Sequence, residues 1–138
     1  MKGNIYIIVD DEQVNLMILG KYIEIVDSSA IVFACDNAKD ALEKYKSCIT
    51  NKYEVKAVIT DLQMPYTSGE ELIKEMCSFE REFTGKDLND LTCRFSIFTA
   101  NDLYSKPLPC GGCEKCCATN VEYKPLDKEK AKRMMNYE

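Results

Sequence analysis

The chain has 138 residues, 46% of them apolar and 30% charged, which is the length and balance of one ordinary globular domain with a single sizeable core. Its formal charge of -5 has the wrong sign for gripping nucleic acid by neutralising phosphates, and it also disfavours docking on an anionic membrane. There is no histidine, which removes Ser-His and Cys-His catalysis, histidine zinc ligands and any phosphohistidine on this chain itself.

No apolar run approaches the ~18 residues of a membrane span. The N-terminal run Ile5 to Val9 is short, ends in two aspartates and lacks a small-residue cleavage site, so it is not a signal peptide. A cytoplasmic, reducing location is the expectation. The eight cysteines are then free thiols or metal ligands rather than disulfides.

In chain order, Ile5 to Val9 is a continuous apolar run, as in a strand covered on both faces. Leu16, Leu19, Ile23 and Val26 recur at helical spacing, with Val14, Met17, Ile18 and Ile25 widening the stripe. Ala30 to Ala34 reads as a second strand. Ala38, Ala41, Leu42, Tyr45 and Ile49 mark an amphipathic helix, with Asp36 or Asn37 as its N-cap. Ala57 to Thr60 is a short third strand that ends at Asp61, and Pro65 and Gly69 punctuate the loop after it.

Ser68 and Glu71 have capping-box spacing ahead of a third helix whose apolar face is Leu72, Ile73, Met76 and Phe79. Lys86 to Asn89 reads as loop. Phe95 to Phe98 is a fourth strand ending at Thr99, and Thr119 to Tyr123 a more polar fifth strand at an edge. Leu126, Ala131, Met134 and Met135 suit a short final helix. Strands alternating with helices imply right-handed βαβ units and a parallel sheet with helices on both faces. The expectation is one doubly wound α/β domain over residues 1–138.

In such sheets ligands bind beyond the carboxyl ends of the strands, where strand order reverses. Those ends carry Asp10 and Asp11, Asp61, Thr99 and Lys124. Asp10-Asp11 alone reads as a solvated turn and cap, and Asp61 alone as a loop acid. Together, three acids, a hydroxyl and an ammonium on one sheet edge outweigh those readings. Clustered carboxylates repel unless a cation compensates, and an all-oxygen set suits Mg²⁺. A carboxylate can attack phosphorus, while a metal, a lysine and a hydroxyl neutralise the transferred oxygens. The set is complete for forming an acyl phosphate on an aspartate.

Val9-Asp10-Asp11-Glu12, Asp61-Leu62-Gln63-Met64-Pro65, Gly69, Thr99-Ala100 and Lys124-Pro125 resemble, in order and spacing, the response-regulator receiver domain. The Asp61 to Pro65 stretch looks most like receivers of hybrid histidine kinases, and the resemblance runs from about residue 4 to 136. It implies a flavodoxin-like five-stranded parallel sheet and a place in a two-component phosphorelay. It also implies that Asp61 accepts the phosphoryl group from a histidine kinase or histidine phosphotransfer protein. On the same ground Asp11 ligates Mg²⁺ directly, Asp10 mainly through water, and the backbone carbonyl of Gln63 is a further ligand. Thr99 and Lys124 would bond the phosphoryl oxygens, and the Lys124-Pro125 bond would be cis. Gln63 and Asn101 are read as exposed, or as tuning hydrolysis of the acyl phosphate.

Two departures stand out. The family's fourth helix falls where Pro107, Pro109, Gly111 and Gly112 break helices, so a shortened helix or a Cys-rich loop over Ser105 to Cys117 is expected. The family's switch aromatic falls on Val121, with Tyr104 and Tyr123 nearby but not at the matching position. Cys110, Cys113, Cys116 and Cys117 admit free thiols, a Zn²⁺ site or a redox pair, and the adjacent Cys116 and Cys117 would have difficulty reaching one ion. Cys35, Cys48, Cys77 and Cys93 read as small buried apolar residues.

The competing readings are a phosphatase with an aspartate nucleophile and a degenerate receiver that only binds partners. The first usually needs an acid two residues after the nucleophile, where Gln63 stands; the complete acid set weighs against the second. The expectation is therefore a signalling module without a separate substrate, without nucleic acid and without membrane contact by this domain. The chain stops soon after the last helix, as a stand-alone regulator or a piece of a hybrid kinase would.

Overall fold

In the computed structural model, residues 3–84, 93–100 and 120–135 are described. The apolar run at the start becomes strand β1 (Ile5–Val9), buried throughout. Because side chains alternate across a strand, Ile5, Ile7 and Val9 enter one core, and Tyr6 and Ile8 the other. Helix α1 (Gln13–Val26) returns the chain to β2 (Ile31–Cys35), and α2 (Ala38–Thr50) returns it to β3 (Val55–Thr60). A two-residue hairpin, β4 (Gln63–Met64) and β5 (Thr67–Ser68), precedes α3 (Gly69–Thr84). Strands β6 (Arg94–Thr99) and β7 (Asn120–Tyr123) and helix α4 (Lys128–Met135) complete the described elements.

The main sheet has the order β2-β1-β3-β6-β7 with every pair parallel, a flavodoxin-like doubly wound arrangement. The chain steps outward from β1 to β2 and then back across to β3. The reversal therefore lies between β1 and β3. Helices α2 and α3 pack together over one face, burying Tyr45, Leu72, Ile73 and Met76 against Ile7, Val58 and Phe95. Helices α1 and α4 pack over the other, burying Leu16, Leu19, Ile23, Ala131 and Met134 against Tyr6, Ile8 and Ile59. The Tyr45 hydroxyl donates to Glu80 between α2 and α3, a polar tie inside the first core.

Several expectations change in detail. Strand β2 runs one residue later than expected, and β3 begins at Val55, because its pairing with β1 extends past Lys56. The stripe on α1 is narrower than read: Val14, Met17 and Ile25 are 66%, 65% and 68% exposed, and Ile18 is exposed too. Val14, Ile18 and Ile25 lie about half a turn around the helix from Leu16 and Ile23, and α4 and the sheet cover only that one side. The stretch after Met64 is not plain loop. Pro65 and Tyr66 turn the hairpin, with Tyr66 at φ 73°, a pairing typical of type II turns.

Asn37 is the N-cap of α2, its side chain accepting from the Asp40 N–H at 2.8 Å. The Ser68 hydroxyl accepts from Glu71 N–H at 3.2 Å, one half of the expected box. Cys35, Cys48 and Cys77 are buried and Cys93 partly so. Burial pushes the Cys35 thiol up to about 11. The expected loops at Lys86 to Asn89 and Ser105 to Cys117, the four clustered cysteines, Asn101 and Tyr104 lie outside the described residues.

One acid on the side of the sheet away from the strand ends was not singled out by its sequence. Asp27 closes α1 and is buried. Its carboxylate accepts from the Asn4 amide and the Tyr6 hydroxyl, each at 2.8 Å, and from the Ser29 N–H at 3.0 Å and hydroxyl at 2.7 Å. Burial alone would raise its pKa, but the bonds from Asn4, Ser29 and Tyr6 outweigh that and lower it from 3.8 to about 2. A lowered folded-state pKa favours the fold above the ordinary carboxylate range, and the gain drains away as pH falls from about 4 to about 2. Asp27→Ala should cost about 2 kcal/mol at neutral pH, with the gap to wild type closing on acidification. Urea melts at several pH values would show this; an equal gap at pH 7 and at the acid limit would contradict it.

Candidate functional site

The C-terminal ends of β1 and β3 lie side by side at the switch point and carry the acids. The Asp61 N–H donates to the Val9 carbonyl at 2.9 Å, and the Asp10 N–H to the Cys35 carbonyl at 3.2 Å. The strand ladder thus runs one residue past the strands and fixes both loops. Asp10, Asp11 and Asp61 each bring one carboxylate oxygen within 4.8 Å of the others. Asp10 is buried, Asp61 partly buried and Asp11 exposed.

Each acid has a distinct local anchor. Asp10 Oδ1 accepts from the Glu12 N–H at 2.9 Å, an Asx turn that opens α1. Asp61 Oδ1 accepts from the Leu62 N–H at 2.8 Å, and the Thr60 hydroxyl donates to the Asp61 carbonyl at 3.0 Å. Lys124 follows β7, where its N–H donates to the Thr99 carbonyl at 2.9 Å. Its Nζ lies 3.3 Å from Asp10 Oδ2 and 3.9 Å from Asp61 Oδ1, with the Phe98 ring 5.6 Å away. Thr99 is buried at the end of β6, and the Lys124-Pro125 bond is cis. Gln63 is exposed in the hairpin, paired with Ser68. Val121 and Tyr123 are both half-buried on β7.

Burial pushes the Asp61 carboxyl above its ordinary value, and the charges of Asp10 and Asp11 push the same way. The Lys124 ammonium and the Leu62 N–H pull it down without cancelling the rise. The site is therefore short of positive charge. A hard divalent cation fits that need: the facing ligands are all carboxylate oxygens, close enough to share one ion, and one side opens to solvent at Asp11. Among the described residues this is the one group of acids or thiols with that reach.

Gly69 contributes in a way that its sequence reading as loop punctuation missed. Its N–H donates to the Leu62 carbonyl at 2.7 Å, folding the start of α3 under the loop that follows β3. A Cβ at this position would strike the Asp61 carbonyl oxygen and come within 3.0 Å of Thr60 Cγ2. A backbone atom cannot swing aside as a side-chain tip can, so Gly69→Ala must displace Asp61.

Two outcomes follow from this geometry. Gly69→Ala should lose about 1–3 kcal/mol of stability, as overpacking of fixed neighbours does, and weaken Mg²⁺ binding with it. Wild-type melting and titration curves for this variant would show that the close approach is not needed. Asp61→Asn should melt higher than wild type at neutral pH without divalent ions. Because folding raises the Asp61 pKa, its contribution to stability is full below the ordinary carboxylate range and falls as pH rises through the raised value. Calorimetry showing a lower melting point for Asp61→Asn would refute the repulsion argument.

The family model for the response regulator receiver domain matches residues 6–108. No curated protein matches the chain at a significant level. Among solved structures, a receiver domain protein from Clostridium thermocellum is similar with a TM-score of 0.69 at 21% identity, over 96% of this chain and 91% of that one. The CheX-CheY-BeF3-Mg complex from Borrelia burgdorferi is similar at 0.63 and 22%, over 96% and 87%. The receiver domain of the hybrid histidine kinase CckA is similar at 0.64 and 13%, over 92% and 91%. At these identities the structures speak for the fold, whereas the family model covers most of the sequence. The chain belongs to the response regulator receiver domain family.

Proposed function

We propose that the chain, as a single receiver domain over residues 1–138, takes a phosphoryl group onto Asp61 from a phosphohistidine and changes conformation to pass the signal on. The donor is a histidine kinase or a histidine phosphotransfer protein. The observation that carries this is the partly buried Asp61 carboxylate, with two further carboxylates within 4.8 Å and an ammonium at 3.9 Å. The similar Borrelia burgdorferi protein, a CheY in complex with CheX, BeF3 and Mg, supports it.

The Asp61 oxygen that does not accept from Leu62 attacks phosphorus. A P–O bond forms, the P–N bond to the donor imidazole breaks, and that ring leaves as a neutral imidazole once protonated. Asp11 and Asp61, with the Gln63 carbonyl, would hold Mg²⁺ directly. Asp10 would act through water, since its two oxygens already accept from Glu12 N–H and Lys124. When bound, Mg²⁺ supplies positive charge to the transferred oxygens. Lys124 shifts from Asp10 toward the new phosphoryl charge, and the Thr99 hydroxyl donates to another of its oxygens. The reaction is confined to the chain's own phosphorylation and dephosphorylation.

No helix among the described residues is long and apolar enough to cross a membrane. A cytoplasmic setting, with neither nucleic acid nor membrane as partner of this domain, completes the proposal.

Intact-mass measurement after acetyl phosphate or beryllofluoride treatment, with and without Mg²⁺, tests it. Wild type should gain one Mg²⁺-dependent adduct and Asp61→Asn none, while both keep the same fold. An adduct on the mutant at another residue would sink the assignment. Continuous turnover of a phosphate ester would favour the phosphatase, and absence of any adduct would favour a degenerate binding module. In a Mg²⁺ titration, Asp11→Ala should lose more affinity than Asp10→Ala, since loss of an outer partner typically costs ~10–100-fold and a direct ligand more. Equal affinities would refute that order.

A further inference from the structure

The main sheet has two outer strands, β2 and β7, and they differ in protection. On β7, buried Glu122 holds Arg133 at 2.7 and 3.0 Å, and a lysine and a proline follow. Charge and proline are the usual means of keeping another strand off an edge. Strand β2 reads Ile-Val-Phe-Ala-Cys, with no charge, no proline and an unbroken register to β1.

The backbone direction of β2 follows from its bonds. Ile31 N–H donates to the Asn4 carbonyl at 2.7 Å, and the Cys35 carbonyl accepts from Asp10 N–H at 3.2 Å. Ile31, Phe33 and Cys35 therefore turn their backbone groups to β1, and the alternate residues Val32 and Ala34 turn N–H and C=O to the outer edge, which no strand among the described residues covers. Ala34 is exposed, and Ile31 is 42% exposed. Beside the edge, under α2, runs a groove of about 1010 Å³ lined by Ile31, Phe33, Lys44, Lys52 and Tyr53.

We propose that β2 pairs antiparallel with β2 of a second copy, about a twofold axis at Phe33, joining two five-stranded sheets into one. In this register Val32 stands opposite Ala34 of the second copy. Each such pair exchanges both backbone hydrogen bonds, as their outward groups require. Phe33 meets Phe33 of the second copy at the closer, non-hydrogen-bonded position, on the α2 face where the ring already lies. The Lys44 ammonium sits 4.6 Å from that ring.

Charge selects both the occupant and the direction. At the strand's C-terminal end, Asp36, Asp40 and Glu43 line a second cavity, of about 530 Å³, with Lys44 as its one cation. Toward the strand's N-terminal end the first groove carries Lys52, with Lys44 between the two cavities and Glu54 as the one acid in that groove. A twofold sets the acidic end of each copy against the basic stretch of the other. A parallel partner strand would set acid against acid. The same surface is thus complementary to itself in one orientation.

Sedimentation equilibrium on the full chain from low to high micromolar concentration tests this, with and without Mg²⁺ and beryllofluoride. A concentration-dependent dimer is expected, of equal affinity in both conditions, since the edge lies outside the acidic site. Ala34→Pro removes an N–H that faces outward, where a proline is tolerated, and Ala34→Lys adds a charge to the seam. Each should weaken association at least tenfold while keeping wild-type melting and beryllofluoride uptake. A wild-type chain that stays monomeric throughout overturns the proposal. So does a dimer that survives both substitutions, which would place the contact on another face.

Discussion

The mutual repulsion of Asp10, Asp11 and Asp61 is the constraint around which this end of the molecule is arranged. Oxygens within 4.8 Å of one another would drive flexible loops apart. Here they stay because the ladder extends one residue beyond β1 and β3, anchoring Asp10 and Asp61 through their own backbone N–H groups. Lys124 relieves part of the strain from the far side, delivered by β7 and held by the Thr99 carbonyl. The four crossovers from β1 to β2, β2 to β3, β3 to β6 and β6 to β7 must therefore form before the site exists. None of its parts is local to another in sequence beyond the Asp10-Asp11 pair.

The same constraint explains why the sequence disclosed the site more readily than the packing. A parallel sheet buried on both faces writes its strands as apolar runs, so Ile5 to Val9 and Phe95 to Phe98 were legible, and so were the polar residues that end them. Strand β3 was read two residues short because Lys56 interrupts the run, although its backbone still pairs. On α1, composition misled: four exposed apolar residues on the outer side looked like more of the core stripe. The β4–β5 hairpin is too short to carry a period, and Gly69 shows its role only when the Asp61 carbonyl is seen beneath it.

Asp27 was illegible for a different reason. Its donors come from Asn4 just before the first strand and Tyr6 on it as well as from Ser29 beside it, so the sequence shows only an acid before two serines. The Tyr45–Glu80 tie is similar, with its partners on different helices and nothing local to announce it. Long-range polar contacts of this kind carry no periodic signature, whereas residues gathered at the carboxyl ends of parallel strands can be inferred from topology alone.

Asp27 and Asp61 then show how one side chain serves two ends of a single sheet. Both leave water on folding, which by itself disfavours the charged form. Around Asp27 an amide, a phenol, a hydroxyl and a backbone N–H supply four donors, so the carboxylate is held ionised and stabilises the fold. Around Asp61 one backbone N–H and a shared, more distant ammonium face two further carboxylates. The balance tips the other way, and that end of the sheet remains electrostatically unsatisfied. Folding free energy gathered at Asp27 and in the two cores offsets this deficit. On the reading proposed above, the deficit is what draws a divalent cation into the site and lets Lys124 turn from Asp10 to a phosphoryl group.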